Sequence, residues 1–289
     1  MDRIRKLATG NYTFTVGTVD DDGNNVNAQA PRTVTIRDGS GTSIFTGTPD
    51  HTDHILTISV PAATITKLDT YTLTWTAAVG GVTTTWVSTV EIVGGYLFEI
   101  ADLRASDRAF ADQGKYPSAT LREIRAWVED VIEGPRAANV AFVPRGNRVT
   151  IDGTGRTAIM LPDLEIKSIY AITVGTTAWT TPQIATLTID DGVVWLTTSS
   201  PIATWTEGHR NITIHYTHGE DLAPGAITRA ALMLAREYLL KTDIPGRATA
   251  TSIGDQMFRL TIAGRDGVTG LPEVDAAIQQ FGRKSYSIG

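Results

Sequence analysis

Before residue 94 the apolar side chains recur at every second position, and this spacing constrains the fold more than any other feature of the sequence. Tyr12, Phe14 and Val16 follow it, as do Leu56, Ile58 and Val60, then Tyr71, Leu73 and Trp75, and finally Trp86, Val90 and Ile92. An extended chain sends alternate side chains to opposite faces, so each run can lay one face on a core while its threonines meet water. Turn-forming DDGN, RDGSG and AVGG separate the runs, and no helical periodicity interrupts them. The pattern predicts a small antiparallel sandwich over residues 1–94.

The alternation and the aromatic strand residues resemble an immunoglobulin-like module. That family's two cysteines are absent, so the resemblance rests on pattern alone. At GGYLFEIADL, residues 94–103, the texture changes. In PSATLREIRAWVEDVIEGP the residues Leu121, Ile124, Val128 and Val131 recur at three and four, with Arg122, Glu123, Arg125, Glu129 and Asp130 around the other side. Ser118 is the expected N-cap, and Gly134-Pro135 the stop. A β-rich middle follows, with strands expected in RVTIDGTGRTAIMLP and IKSIYAITVG and a hairpin turning on Asp191-Gly192. NITIHYTHG then leads into a helix from about 225 to 241, and PEVDAAIQQF forms a last one, starting with Pro272 and stacking Val274, Ala277, Ile278 and Phe281. The fold class expected is α+β: an all-β sandwich domain over 1–94, then a mixed domain over 95–289 with helices and an inserted β-rich region. Gly94-Gly95 is the boundary, and residues 1–94 are expected to fold independently.

A chain of 289 residues is long enough for two such domains. It has no cysteine, which removes a disulfide framework, a thiolate zinc site and a cysteine nucleophile. Lysine plus arginine number 25 against 31 acidic residues, a net charge of -6, which argues against a protein that coats nucleic acid. The opening MDRIRKLATGNYTF has no apolar run behind its basic start, and no stretch approaches a membrane span, so a soluble protein without a secretion signal is expected.

Candidate chemistry is sparse. His215 and His218 in NITIHYTHG point to opposite faces of an extended chain and cannot readily share an ion, so one is expected on a solvated strand face and the other in a turn. Glu220 and Asp221 suit the turn and the start of the helix. Asp50, His51, Asp53 and His54 in PDHTDHI carry metal-ligand chemistry without a helix spacing to fix it, and a polar loop ahead of the strand ILTISV is the expected reading. GTGRT, residues 153–157, lacks the lysine and spacing of a phosphate loop and is expected to be a hairpin turn. No GxSxG elbow is present. Neither an enzyme nor a bound cofactor or metal is expected.

The helix after Gly225 carries Thr228, Arg229, Arg236 and Glu237 as a narrow polar strip, while Ile227, Ala231, Leu232, Met233, Leu234, Leu239 and Leu240 cover most of the rest. A helix apolar nearly all round is buried on several sides, in a core or by neighbouring subunits. Ile227, Ala231, Leu234 and Tyr238 are the positions expected to serve that role.

From about residue 96 onward the chain resembles the head-to-tail connector, or adaptor, proteins of tailed bacteriophages, of the type found in phages of actinobacteria. The likeness is an ordered series: YPSATLREIRAWVEDVIE, VPRGNRVTIDGTGRTAIMLP, RNITIHYTHGEDLAPGAITRAALMLAREYLL and GLPEVDAAIQQF. The N-terminal sandwich lies outside the minimal family pattern. The resemblance implies a structural virion protein of the head-tail neck, made in the host cytoplasm and forming a twelvefold homo-oligomeric ring. Its implied partners are the portal protein, tail-side neck proteins and viral DNA passing through the lumen without sequence-specific binding, with no membrane. It also implies that the C-terminal segment reaches the portal. In FGRKSYSIG, Arg283, Lys284, Tyr286 and Ile288 are then the docking residues, with Tyr286 and Ile288 alternating as a strand would. The alternative is a β-rich virion decoration or glycan-binding adhesion module that uses exposed aromatics. A metal hydrolase built on the histidines is a third reading.

Overall fold

The computed structural model describes residues 2–240, 250–253, 256–259 and 268–283. The chain forms two compact units. One comprises Met1–Gly94, Arg145–Pro162 and Ile166–His218, and the other Gly95–Pro144, Asp163–Glu165 and Gly219–Gly289. The first unit runs from Met1 to Gly94 and also takes in the β-rich middle, which the sequence pattern groups with residues 95–289. The protein is mixed α and β, with most of the strands in the first unit and most of the helical residues in the second.

The first unit opens with eight strands: β1 (Asp2–Arg5), β2 (Asn11–Gly17), β3 (Gln29–Arg37), β4 (Ser43–Gly47), β5 (Asp50–Thr52), β6 (Ile55–Pro61), β7 (Asp69–Val79) and β8 (Val82–Val93). They make a five-stranded sheet in the order β1-β8-β7-β3-β4 and a three-stranded sheet in the order β2-β6-β5. All pairs are antiparallel except β1 on β8, which run parallel. Alternation fixes the register. Tyr12, Phe14, Leu56, Ile58 and Val60 from one sheet meet Val34, Ile36, Tyr71, Leu73, Trp75, Val90 and Ile92 from the other in a single core. The Tyr71 hydroxyl donates to the Lys67 carbonyl at 3.0 Å, and the Trp75 indole N–H to Ser88 Oγ at 3.0 Å, so the polar ends of both buried rings are satisfied. Gly80 and Gly81, both at positive φ, close the β7–β8 hairpin.

The same unit resumes after residue 144 with β9 (Arg145–Gly153), β10 (Ala158–Met160), β11 (Ile166–Val174), β12 (Thr177–Ala178), β13 (Thr188–Asp190), β14 (Val193–Trp195) and β15 (Gly208–His218). One sheet runs β12-β11-β15-β9 and a second β10-β14-β13. A second core lies among them, built on Ile172, Val194, Ile212, Ile214 and Tyr216, with the Trp179 and Trp205 rings stacked at 5.5 Å. Asp191 and Gly192, at φ 40° and 81°, form the expected β13–β14 turn. The GTGRT stretch is not a hairpin turn: β9 pairs with β15 and β10 with β14, so these residues carry the chain from one sheet to the other.

The second unit contains α1 (Ile100–Ser106), α2 (Ser118–Glu133), α3 (Gly225–Leu239), the hairpin of β16 (Ala250–Ile253) and β17 (Gln256–Arg259), and α4 (Pro272–Phe281). Its core joins Leu103, Leu121, Val128, Ile132, Ile227, Ala231, Leu234, Val274 and Ile278, so all four helices contribute. Ser118 is the first residue of α2 rather than its cap. Pro117 holds the cap position, and the Ser118 hydroxyl accepts instead from Arg104 Nη2 at 3.2 Å. Gly134 ends α2 and Pro272 begins α4, as the sequence predicts. No acidic residue falls in the first turn of α3, so Glu220 and Asp221 belong to the turn ahead of it.

Candidate assembly surface

Helix α3 divides its residues between two environments. Ile227, Ala230, Ala231, Leu234 and Ala235 are buried in the helical core, as their three-and-four spacing requires. Tyr238 belongs to the same helix but is 59% exposed, and Met233 is 37% exposed. Of the four helix positions singled out from the sequence, three are therefore core and Tyr238 is surface. Its ring lies against Trp127 of α2, with centroids 4.5 Å apart and planes inclined by 37°. Trp127 is 39% exposed although it sits between the buried Ala126 and Val128. The sequence carried a signal for it: Trp127 falls in line with Glu123 and Asp130, on the polar side of α2, where a large aromatic side chain has no core to fill.

The helices beneath this pair are fixed by charge. Arg125 is buried with its guanidinium 3.2 Å from the centroid of the Tyr96 ring, and its Nη1 lies 3.9 Å from Glu99 Oε2. Burial pulls the Arg125 pKa down from its ordinary value, while Tyr96, Glu129 and Glu99 act in the opposite sense. Glu129, wholly buried one turn on, accepts from the Leu97 backbone N–H at 3.0 Å. On the surface, Arg236 holds Asp107 through Nε at 3.1 Å and Nη2 at 3.0 Å. The Ala109 N–H, with Arg236 second, keeps the Asp107 carboxyl below the usual carboxylate range. These contacts tie α3 to the chain after α1 and tie α2 to residues 96–99.

The remaining sequence candidates scatter. Arg283 is exposed, and its backbone N–H donates to the Ala138 carbonyl at 2.7 Å. Lys284, Tyr286 and Ile288 lie outside the described residues. His215 does not sit on a solvated strand face. It is 4% exposed, with Nε2 3.4 Å from Asp69 Oδ2 of the sandwich. Both faces of β15 are covered, one by its own core and the other at the sandwich, and strict alternation cannot reveal the second cover. His218 is partly buried near the Tyr216 ring, at 5.9 Å. Asp50, His51, Asp53 and His54 form the β5–β6 turn, with Asp53 at φ 54°. Among the described residues no group of three histidine or carboxylate side chains could hold a metal ion, and no helix is long and apolar enough to cross a membrane. The sandwich keeps Tyr12, Phe14, Tyr71 and Trp75 inside, so these rings offer no platform for a sugar.

No protein-family model matches the chain, and no curated protein matches it. Among solved structures it is similar to one described as the neck of an empty GTA particle computed with C6 symmetry, at 18% identity and a TM-score of 0.45, covering 67% of this chain and 93% of that chain.

Proposed function

We propose that this chain is a non-enzymatic structural protein of a tailed-phage neck. In this reading it is an adaptor subunit that forms a ring between portal and tail, extends the DNA channel and carries an immunoglobulin-like domain at its N-terminal end. The observation that carries the reading is the Trp127–Tyr238 pair. Two of the segments that resemble the connector proteins become α2 and α3, and after building a shared core they still present adjacent aromatic rings to solvent. Tryptophan and tyrosine are the side chains most enriched where protein surfaces bind tightly. A ring needs such a patch on every subunit, because each copy makes the same head-to-tail contact. The immunoglobulin-like assignment is supported by the β1-β8-β7-β3-β4 and β2-β6-β5 strand orders and by Tyr71, whose hydroxyl turns back to the Lys67 carbonyl near the start of its strand. The net charge of -6 suits a conduit that must not retain phosphates.

Light scattering after size exclusion, with negative-stain images of the same fractions, tests this reading on the full chain alone and mixed with the portal protein. Rings of about twelve subunits are expected, and Trp127→Ala with Tyr238→Ala should weaken assembly at least tenfold while helical content persists. A folded chain that stays monomeric in both conditions overturns the proposal.

A further inference from the structure

The first unit holds two separate apolar cores, one in the sandwich and one in residues 145–218, and what joins them is polar. His215 Nε2 lies 3.4 Å from Asp69 Oδ2, with both side chains about nineteen-twentieths buried at 5% and 6% exposure. Asp69 also accepts the Gly39 N–H at 2.8 Å and the Thr70 N–H at 2.8 Å. Arg148 donates to the carbonyl of that same Gly39 at 2.9 Å, so the β3–β4 loop is held from both sides. Further along, Arg3 donates to Glu91 Oε2 at 2.8 Å, and Arg145 Nη1 approaches Glu91 Oε1 at 3.9 Å. Between the two groups the backbones themselves meet: a side chain at Gly146 would overlap the Leu68 carbonyl. Glycine is needed there for the approach rather than for an unusual φ.

We propose that residues 1–94 and 145–218 form one cooperative body closed by a polar latch, Asp69 on His215 and Glu91 between Arg3 and Arg145, with Gly146 backed onto Leu68. The sandwich is then a fixed half of this body, not a separable appendage. The groups near the Asp69–His215 pair are Tyr71 within the sandwich, with Asp38 acting on Tyr71, then Arg148 of β9, bound to the Gly39 carbonyl, and Tyr170, whose ring meets the imidazole edge-on at 5.9 Å. The only carboxylate in that set besides Asp69 is Asp38. Acid protonates Asp69, removes the charge that His215 faces, and opens the latch while leaving both apolar cores intact. A joint made of apolar side chains would not respond in this way.

Hydrogen exchange read by mass spectrometry tests this on the full chain, with calorimetry alongside. In the wild type, residues 1–94 and 145–218 should exchange by one cooperative opening and melt in one transition. Gly146→Ala should separate them into two transitions and expose segments 66–70 and 145–150 at least tenfold more, with exchange around Trp75 and Trp179 unchanged. His215→Ala should lower the shared midpoint by roughly 10 °C, the shift expected when one partner of a buried pair is lost in a unit of this size. Two independent transitions already in the wild type would overturn the proposal without any variant. Wild-type exchange in Gly146→Ala would overturn it too. Neither result depends on ring formation, so the outcome stands apart from that of the neck assignment.

Discussion

Asp69 is almost wholly removed from water, yet its pKa lies below the ordinary carboxylate value. Burial alone would raise it. The His215 imidazole 3.4 Å away, with the Gly39 and Thr70 N–H groups, outweighs that effect and favours the ionised form. A carboxyl group whose folded pKa is depressed stabilises the fold fully above its unfolded pKa, here near 3.8, and loses that contribution as pH falls through the folded value. Urea midpoints of the wild type are therefore expected to hold steady down to about pH 5 and to drop steeply below pH 4. Asp69→Asn should flatten this descent and cost about 3 kcal/mol at neutral pH, because it leaves His215 buried without its charged partner. A wild-type curve parallel to that of the variant through the acid limb would show that Asp69 is not what senses the pH.

At the scale of elements, α3 invites a comparison between its two faces. Leu234→Ala empties a core position and should lower stability by about 2–5 kcal/mol, measured by denaturant titration of the dissociated subunit. Tyr238→Ala on the same helix should cost no more than about 1 kcal/mol by that measure, since it removes an aromatic pair at the surface. If the two substitutions cost the same, Tyr238 is part of the core and not a contact held for a partner. The elements also show what a sequence can reveal and where it stops. The β13–β14 hairpin, α2 and α4 were legible because their signals are local: Asp191-Gly192 for the turn, three-and-four spacing for the helices and Pro272 for a helix start. Trp127 was legible in principle as an aromatic out of phase with the apolar stripe of α2. The burial of His215 was not, because its cover comes from a strand far away in the chain, and alternation within NITIHYTHG describes only one of its two faces. The grouping of residues 145–218 with the sandwich escaped for the same reason, as Gly146, Glu91 and Asp69 carry no mutual pattern.

For the whole molecule, the C-terminal segment gives the remaining prediction. Arg283 is the last described residue, and its backbone N–H is engaged with Ala138; in the proposed neck the residues after it are the ones that dock on the portal. Removing residues 284–289 should leave the melting temperature and self-association unchanged and reduce co-sedimentation with portal protein several-fold. Undiminished co-sedimentation would move docking elsewhere, with the β16–β17 hairpin the next place to examine. The polar joint of the first unit has a further consequence, in the timing of synthesis. Arg148 is 109 residues beyond the Gly39 it binds, and at roughly 5–20 residues per second the ribosome takes on the order of ten seconds to deliver it. Until then the sandwich side chains that β9 and β15 will meet are polar: Asp69, Glu91 and the loop at Gly39. A half-made chain with carboxylates at its open seam stays hydrated, whereas an oily seam would draw nascent neighbours together on the same polysome.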